Sequence, residues 1–135
     1  MFLLSSPDIT FAVGPVKDWP FKFYTYKVNC TYHLNCNTNL AGEGIDFTRQ
    51  AWAGIIEGDV AYASARGIAA YSGGDPDDDS WGYKVVLQHS SIYWTRYAHL
   101  IYHFPATNAR LAAGMPIGYI GNTGSSTGAH LHWHV

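Results

Sequence analysis

The apolar residues of this chain come in short runs parted by glycines, and no segment sustains the 3.6-residue period of a helix. That pattern constrains the fold more than any other feature. Residues 21–28, FKFYTYKV, are dense in aromatic and β-branched side chains and read as a strand. Shorter strands are expected at 45–47, 59–65, 67–71, 84–89 and 92–99, within 114–121, and at 130–135. Ser90 and Ser91 mark a hairpin between 84–89 and 92–99. Strict alternation along the second arm puts Tyr93, Thr95, Tyr97 and His99 on one face. The expectation is an all-β fold, a twisted antiparallel sheet with a loop-walled groove, barrel-sandwich-like in type. Aromatics at 16% and 14 glycines agree with strands and turns.

Between the strands, residues 29–44 are rich in Asn, Thr, Cys and Gly and read as a long loop, a type often functional in compact domains. Residues 73–79, GGDPDDD, form an acidic turn; a calcium loop is disfavoured because its closing glycine is out of place. Cys30 and Cys36 can form a disulfide in an oxidising compartment or remain two thiols. Residues 1–20 read as an irregular lead-in and 21–135 as one domain, long enough to bury a single core. The net charge of −2 without a basic run argues against a nucleic-acid surface. No apolar run reaches the roughly 18–20 residues of a transmembrane helix, and the opening residues MFLL lack the basic leader of a complete secretory signal.

Histidines 130, 132 and 134 would share one face of the last strand. Neutral imidazole is the commonest protein ligand for zinc, although a polar stripe on an edge strand gives the same pattern. Two further placements add weight. His99 ends a strand, and Asp46 sits in the apolar run Gly44-Ile45-Asp46-Phe47, where an unpartnered carboxylate would be costly. One carboxylate and several imidazoles on one small sheet suit a catalytic zinc site, with three protein ligands and a position left for water.

The stretches Gly44-Ile45-Asp46-Phe47, Tyr97-Ala98-His99-Leu100, Gly114-Met115-Pro116-Ile117-Gly118 and the run from Gly121 to His132, in that order, resemble the lysostaphin-type, β-lytic zinc metallopeptidases, which cleave peptide cross-bridges of bacterial peptidoglycan. The resemblance covers roughly residues 30–135. It implies that Asp46 and His132 are zinc ligands and that His99 and His130 are the catalytic pair beside the metal. It implies amide hydrolysis by a zinc-activated water, with a peptidoglycan peptide as substrate and an extracellular or cell-envelope setting, or a place in a phage or larger surface assembly. The chain stops at Val135 inside an expected strand, so the domain is expected to lack its last strand.

One position departs from the family. Its first ligand is a His four residues before the Asp, and Gly42 stands there. His33, the only His upstream of Asp46, is the expected replacement, reaching in from a longer loop bracketed by Cys30 and Cys36. Glu43 is a second possibility. The third is a non-catalytic relative of the same fold, serving as a cell-wall-binding, structural or assembly module. His89 and His103 are not expected to be ligands. His134 is either a neighbour of the centre or a surface residue, and Tyr97 and Trp133 belong to the core or the groove wall.

Overall fold

A computed structural model of the chain describes residues 20, 26–31, 44–49, 57–75 and 80–135. These residues form nine strands and no helix: β1 (Tyr26–Thr31), β2 (Ile45–Arg49), β3 (Val60–Tyr62), β4 (Gly67–Gly73), β5 (Tyr83–Gln88), β6 (Trp94–His103), β7 (Arg110–Leu111), β8 (Pro116–Ile120) and β9 (Leu131–His134). The expected lead-in at 1–20 (except Pro20), most of the loop at 29–44, with His33, Cys36, Gly42 and Glu43, and the acidic residues 76–79 lie outside the described residues. No helix among the described residues is long and apolar enough to cross a membrane.

All strand pairs are antiparallel, and the sheet is open. Its main path runs β1-β2-β9-β6-β5-β4-β7, and β8 joins β6 to β3 off that path. Alternation sorts the side chains. Phe47, Leu131, Trp133, Tyr97, Val85 and Leu87 turn to one side and pack with Leu100, Ile117 and Ile120 into the core. Burying each large apolar side chain contributes roughly 1.5–3 kcal/mol against its exposure to water.

β6 is the hub. One edge pairs with β5 from Trp94 to Leu100. The other pairs with β9 at Arg96, Tyr97 and Ala98, then with β8 from Leu100 to His103. His99 stands where the partner changes, with φ of 59°, a conformation disfavoured for any residue with a Cβ. The register on β5 shifts at the same place, from Val85↔Tyr97 to Tyr83↔Leu100. This is a β-bulge, and bulges re-aim side chains.

The bulge corrects one expectation. Tyr97 and Leu100 both reach the core, so His99 does not share the face of Thr95 and Tyr97; the positive φ swings it away from them. Several boundaries differ as well, and one strand is new. β1 extends to Thr31, taking the first residues assigned to the loop. β3 is confined to three residues within the expected 59–65. β6 begins at Trp94 rather than Ile92, because the amides of His89 and Ser90 donate to Tyr93 O and make residues 89–93 a turn. β7 was not expected; it is two residues held against β4 through Gly67↔Leu111 and Ile68↔Arg110.

Candidate active site

Across three adjacent strands, the polar side of the sheet carries one row of opposed residues. Asp46 of β2 faces His132 of β9, and His132 faces Ala98 of β6. The neighbours of His132 in sequence, Leu131 and Trp133, are in the core. A small residue at 98 leaves room over the row. His132 is almost wholly buried, at 2% exposure, and its Nδ1 lies 2.8 Å from Asp46 Oδ1. The backbone beside them is also shaped by this contact. Gly44 has φ of 140°, and a Cβ there would come within 2.6 Å of His132 Nε2 and 2.8 Å of Cε1. Glycine is therefore required for the imidazole to sit against β2.

His99 and His130 close over this row. Their ring centroids are 4.6 Å apart, and His99 is 6.0 Å from His132. His130 is joined to Gly121 by an isolated bridge just before β9. His99 Nδ1 donates to Thr123 O at 2.8 Å. A carbonyl only accepts, so this bond places the proton on Nδ1 and leaves the lone pair on Nε2. Burial pushes the His99 pKa down to about 4; the bond to Thr123 opposes that, the imidazoles of His130 and His132 add to it, and the Asp46 carboxylate opposes it. His99 is thus neutral at pH 7.

Thr123 is itself fixed on two strands. Its Oγ1 donates to Leu100 O at 2.7 Å and accepts from Tyr83 N at 3.0 Å. Gly82 allows this approach, since a Cβ there would stand 2.2 Å from Thr123 Oγ1. His130 is oriented in a similar way. Its Nδ1 donates to Gly128 O at 2.8 Å, with Ser126 Oγ at 3.1 Å, and its Nε2 faces Asp46 Oδ1 at 3.7 Å. Trp81 walls the cluster, 4.8 Å from His132 and 6.3 Å from His99 between ring centroids.

The structure therefore brings Asp46, His99, His130 and His132 together. Two of them, Asp46 and His132, aim a carboxylate oxygen and a ring nitrogen at one another. Ligands of a tetrahedral zinc at 2.0–2.2 Å stand about 3.3 Å apart. The pair fits a metal if it opens by roughly half an ångström, as two members of a ligand set. No group of three or more His, Cys, Asp or Glu that could hold a metal occurs among the described residues; His33 and Glu43 lie outside them.

The other described histidines are engaged elsewhere. His89 is buried and donates from Nδ1 to Arg66 O at 2.7 Å, while Thr95 Oγ1 lies 2.7 Å from its Nε2; burial lowers its pKa, against the Arg66 bond. His103 Nδ1 meets Ser72 Oγ at 2.9 Å. His134 is half-buried and opposes Arg96, one row along from His132. Tyr97 and Trp133 are core residues. Sequence reasoning missed the parts played by Gly44, Trp81, Thr123 and Ser126. Three of them lie inside or beside the quoted motifs, which was the available signal; Trp81 carries none.

This arrangement can be set beside known proteins. The chain is 35% identical over 78 residues to the peptidoglycan DD-endopeptidase ShyA of Vibrio cholerae, a stretch covering 58% of this chain and 17% of that protein, so the chain spans less than a fifth of that relative. Its structure is similar to a zinc-containing peptidase from Vibrio cholerae, with TM-score 0.56 and 32% identity over 67% of this chain and 25% of the other. It is also similar to the catalytic domain of the antimicrobial peptidase lysostaphin from Staphylococcus simulans, with TM-score 0.60 and 26% identity over 82% of this chain and 75% of that domain. The family model described as peptidase family M23 matches residues 42–135, a span that holds Asp46, His99, His130 and His132. With an open antiparallel sheet and a His/Asp cluster on its polar side, the chain belongs to peptidase family M23.

Proposed function

We propose that this chain is a zinc metalloendopeptidase that hydrolyses peptide cross-bridges of bacterial peptidoglycan, acting outside the cell or in the envelope. The observation that carries the reading is the convergence of Asp46 and His132 beneath the paired rings of His99 and His130. ShyA acts on peptidoglycan by its name, and the similar Vibrio cholerae structure contains zinc.

Asp46 and His132 would hold the metal, with His33 as third ligand. β1 ends at Thr31, two residues before His33, and its Cys30 opposes Asp46. When bound, zinc would supply a Lewis acid and a water of lowered pKa. The protein's own groups do the rest. His99 presents the Nε2 lone pair and, being neutral, takes the proton of the attacking water. His130, its Nδ1 fixed on Gly128 O, turns Nε2 toward the Asp46 side of the row, so that its ring borders the place where the oxyanion forms on the scissile carbonyl. Thr123 O and Gly128 O hold the two rings in these orientations.

The test is zinc content and release of cross-bridge fragments from purified peptidoglycan. Wild type should hold about one zinc per chain and cleave. His132→Ala and His33→Ala should each lose most of the zinc and all measurable cleavage; normal zinc in His33→Ala would remove that residue from the site. Gly42 in place of the family's first ligand favours one rival, a non-catalytic wall-binding or assembly module. A wild-type protein with no zinc and no cleavage, but with retention on peptidoglycan, would establish that rival.

A further inference from the structure

Beside the row Asp46–His132–Ala98 runs a second one on the same side of the sheet. His134 of β9 opposes Arg96 of β6, Arg96 opposes Val86 of β5, and Val86 opposes Tyr71 of β4. The two rows are two residues apart along each strand, about 7 Å. Arg96 is therefore a neighbour of the His/Asp cluster on the face that a substrate would cross.

The Arg96 side chain is held in an unusual way. Its guanidinium lies 4.7 Å above the ring of Trp81, and the same indole packs against His132 and His99. Trp81 thus forms a wall with the charge on it and the imidazoles beside it. Arg96 is half-buried. The Asp46 carboxylate faces His130 and His132, and the guanidinium, among the described residues, meets the Trp81 ring. Stacking on an aromatic face leaves the N–H edge of an arginine available for in-plane donation, the geometry that takes a carboxylate by two parallel hydrogen bonds. Lys84, which alternates onto the same side as Val86, lies 5.3 Å above the Tyr71 ring. The Arg96 guanidinium stands beside a cluster whose one acid is already engaged by His130 and His132.

We propose that Arg96, stacked on Trp81, is a substrate-binding residue that takes a carboxylate of the peptide chain lying across the sheet, and so selects peptides bearing a free carboxylate over neutral or amidated ones. The proposal rests on the peptidase reading for its substrate but not for its geometry. It assigns Arg96 to specificity rather than to chemistry, since the residue reaches the peptide and not the reacting atoms.

The experiment uses two probes: a peptidoglycan peptide with free carboxylates and the same peptide fully amidated. Cleavage by wild type, Arg96→Gln and Arg96→Lys is followed together with zinc content and thermal midpoint. Arg96→Gln should raise KM for the free-carboxylate peptide at least tenfold. It should change KM for the amidated peptide less than twofold, with kcat and zinc content unchanged. Arg96→Lys should recover part of the loss, because it keeps the charge without the planar fork. Binding is read separately in wild type, by the shift of the Arg96 Nε–H NMR signal on titration with each peptide. A shift with the carboxylate peptide alone supports the proposal, even in a protein that proves to hold no zinc and to cleave nothing. Equal shifts with both peptides, no shift with either, or an equal KM change for both substrates would overturn it.

Discussion

At the scale of single residues, His99 is where local strain and electrostatics meet. A left-handed backbone conformation at a non-glycine residue costs of order 1–2 kcal/mol, and the ring is then buried among other imidazoles. The consequence for stability has a definite sign. An unfolded histidine takes a proton near pH 6.5, whereas folded His99 does so only near 4. Between those values the unfolded chain binds more protons, so stability rises with pH across that window and is lost as pH falls through it. Urea unfolding of the metal-free protein at pH 4.5 and 6.5 should show the difference, at the outside about 3 kcal/mol for the full window. His89, also lowered by burial, adds in the same direction. His99→Gln should flatten the dependence; an unchanged slope would mean that His99 is not the group responsible. The identities of the clustered residues were legible in the sequence, since Gly44-Ile45-Asp46 and His130-Leu131-His132 are local patterns. The reason glycine stands at 44 was not, because the atom it makes room for lies 88 residues away.

At the scale of elements, strands with a buried and an exposed side were readable from composition and alternation, and β4, β5, β8 and β9 fall close to their expected places. What failed has a common cause. β7 is two residues long and has no period of its own; pairing with β4 alone defines it. The bulge in β6 breaks alternation where β6 exchanges β9 for β8, and a change of partner leaves no trace in a single strand's sequence. Thr123 is the clamp on that junction, bonded to β5 through Tyr83 N and to β6 through Leu100 O, with its own carbonyl on His99. Thr123→Val keeps the shape and removes both hydroxyl bonds. It should cost about 1–3 kcal/mol, since Tyr83 N and Leu100 O would lack their partner in a part-buried place. Cleavage should lose kcat with little change in KM, and the 15N shifts of His99 should report a mixed tautomer. Thr123→Ser should restore both; a Val variant with native tautomer and native kcat would reduce Thr123 to a packing residue.

At the scale of the molecule, the question is what keeps an open nine-stranded sheet rigid enough to hold four side chains in register. Much of the answer lies on the side away from the site. Tyr97, fully buried in β6, carries its hydroxyl to Ser64 in the connection between β3 and β4, accepting from Ser64 N at 2.8 Å and meeting Ser64 Oγ at 2.8 Å. Thr95 Oγ1 stands 3.3 Å from the same hydroxyl and 2.7 Å from His89 Nε2, and His89 Nδ1 reaches Arg66 O. This buried chain ties the hub strand to the segment leading from β3 into β4, so the same β6 that presents His99 on one side is anchored through Tyr97 on the other. Such a network stabilises only while every member is satisfied. Tyr97→Phe fills the same volume but strands the Ser64 amide, and should cost about 1–3 kcal/mol in urea unfolding. Ser64→Ala in the Phe background should cost less than it does alone, because the two share one interaction. Zinc content and cleavage at 25 °C should stay near wild type, since Tyr97 packs in the core and its hydroxyl bonds Ser64 and Thr95, not the four clustered residues. Loss of zinc in a Tyr97→Phe protein that remains folded would show instead that the core network sets the geometry of the site directly.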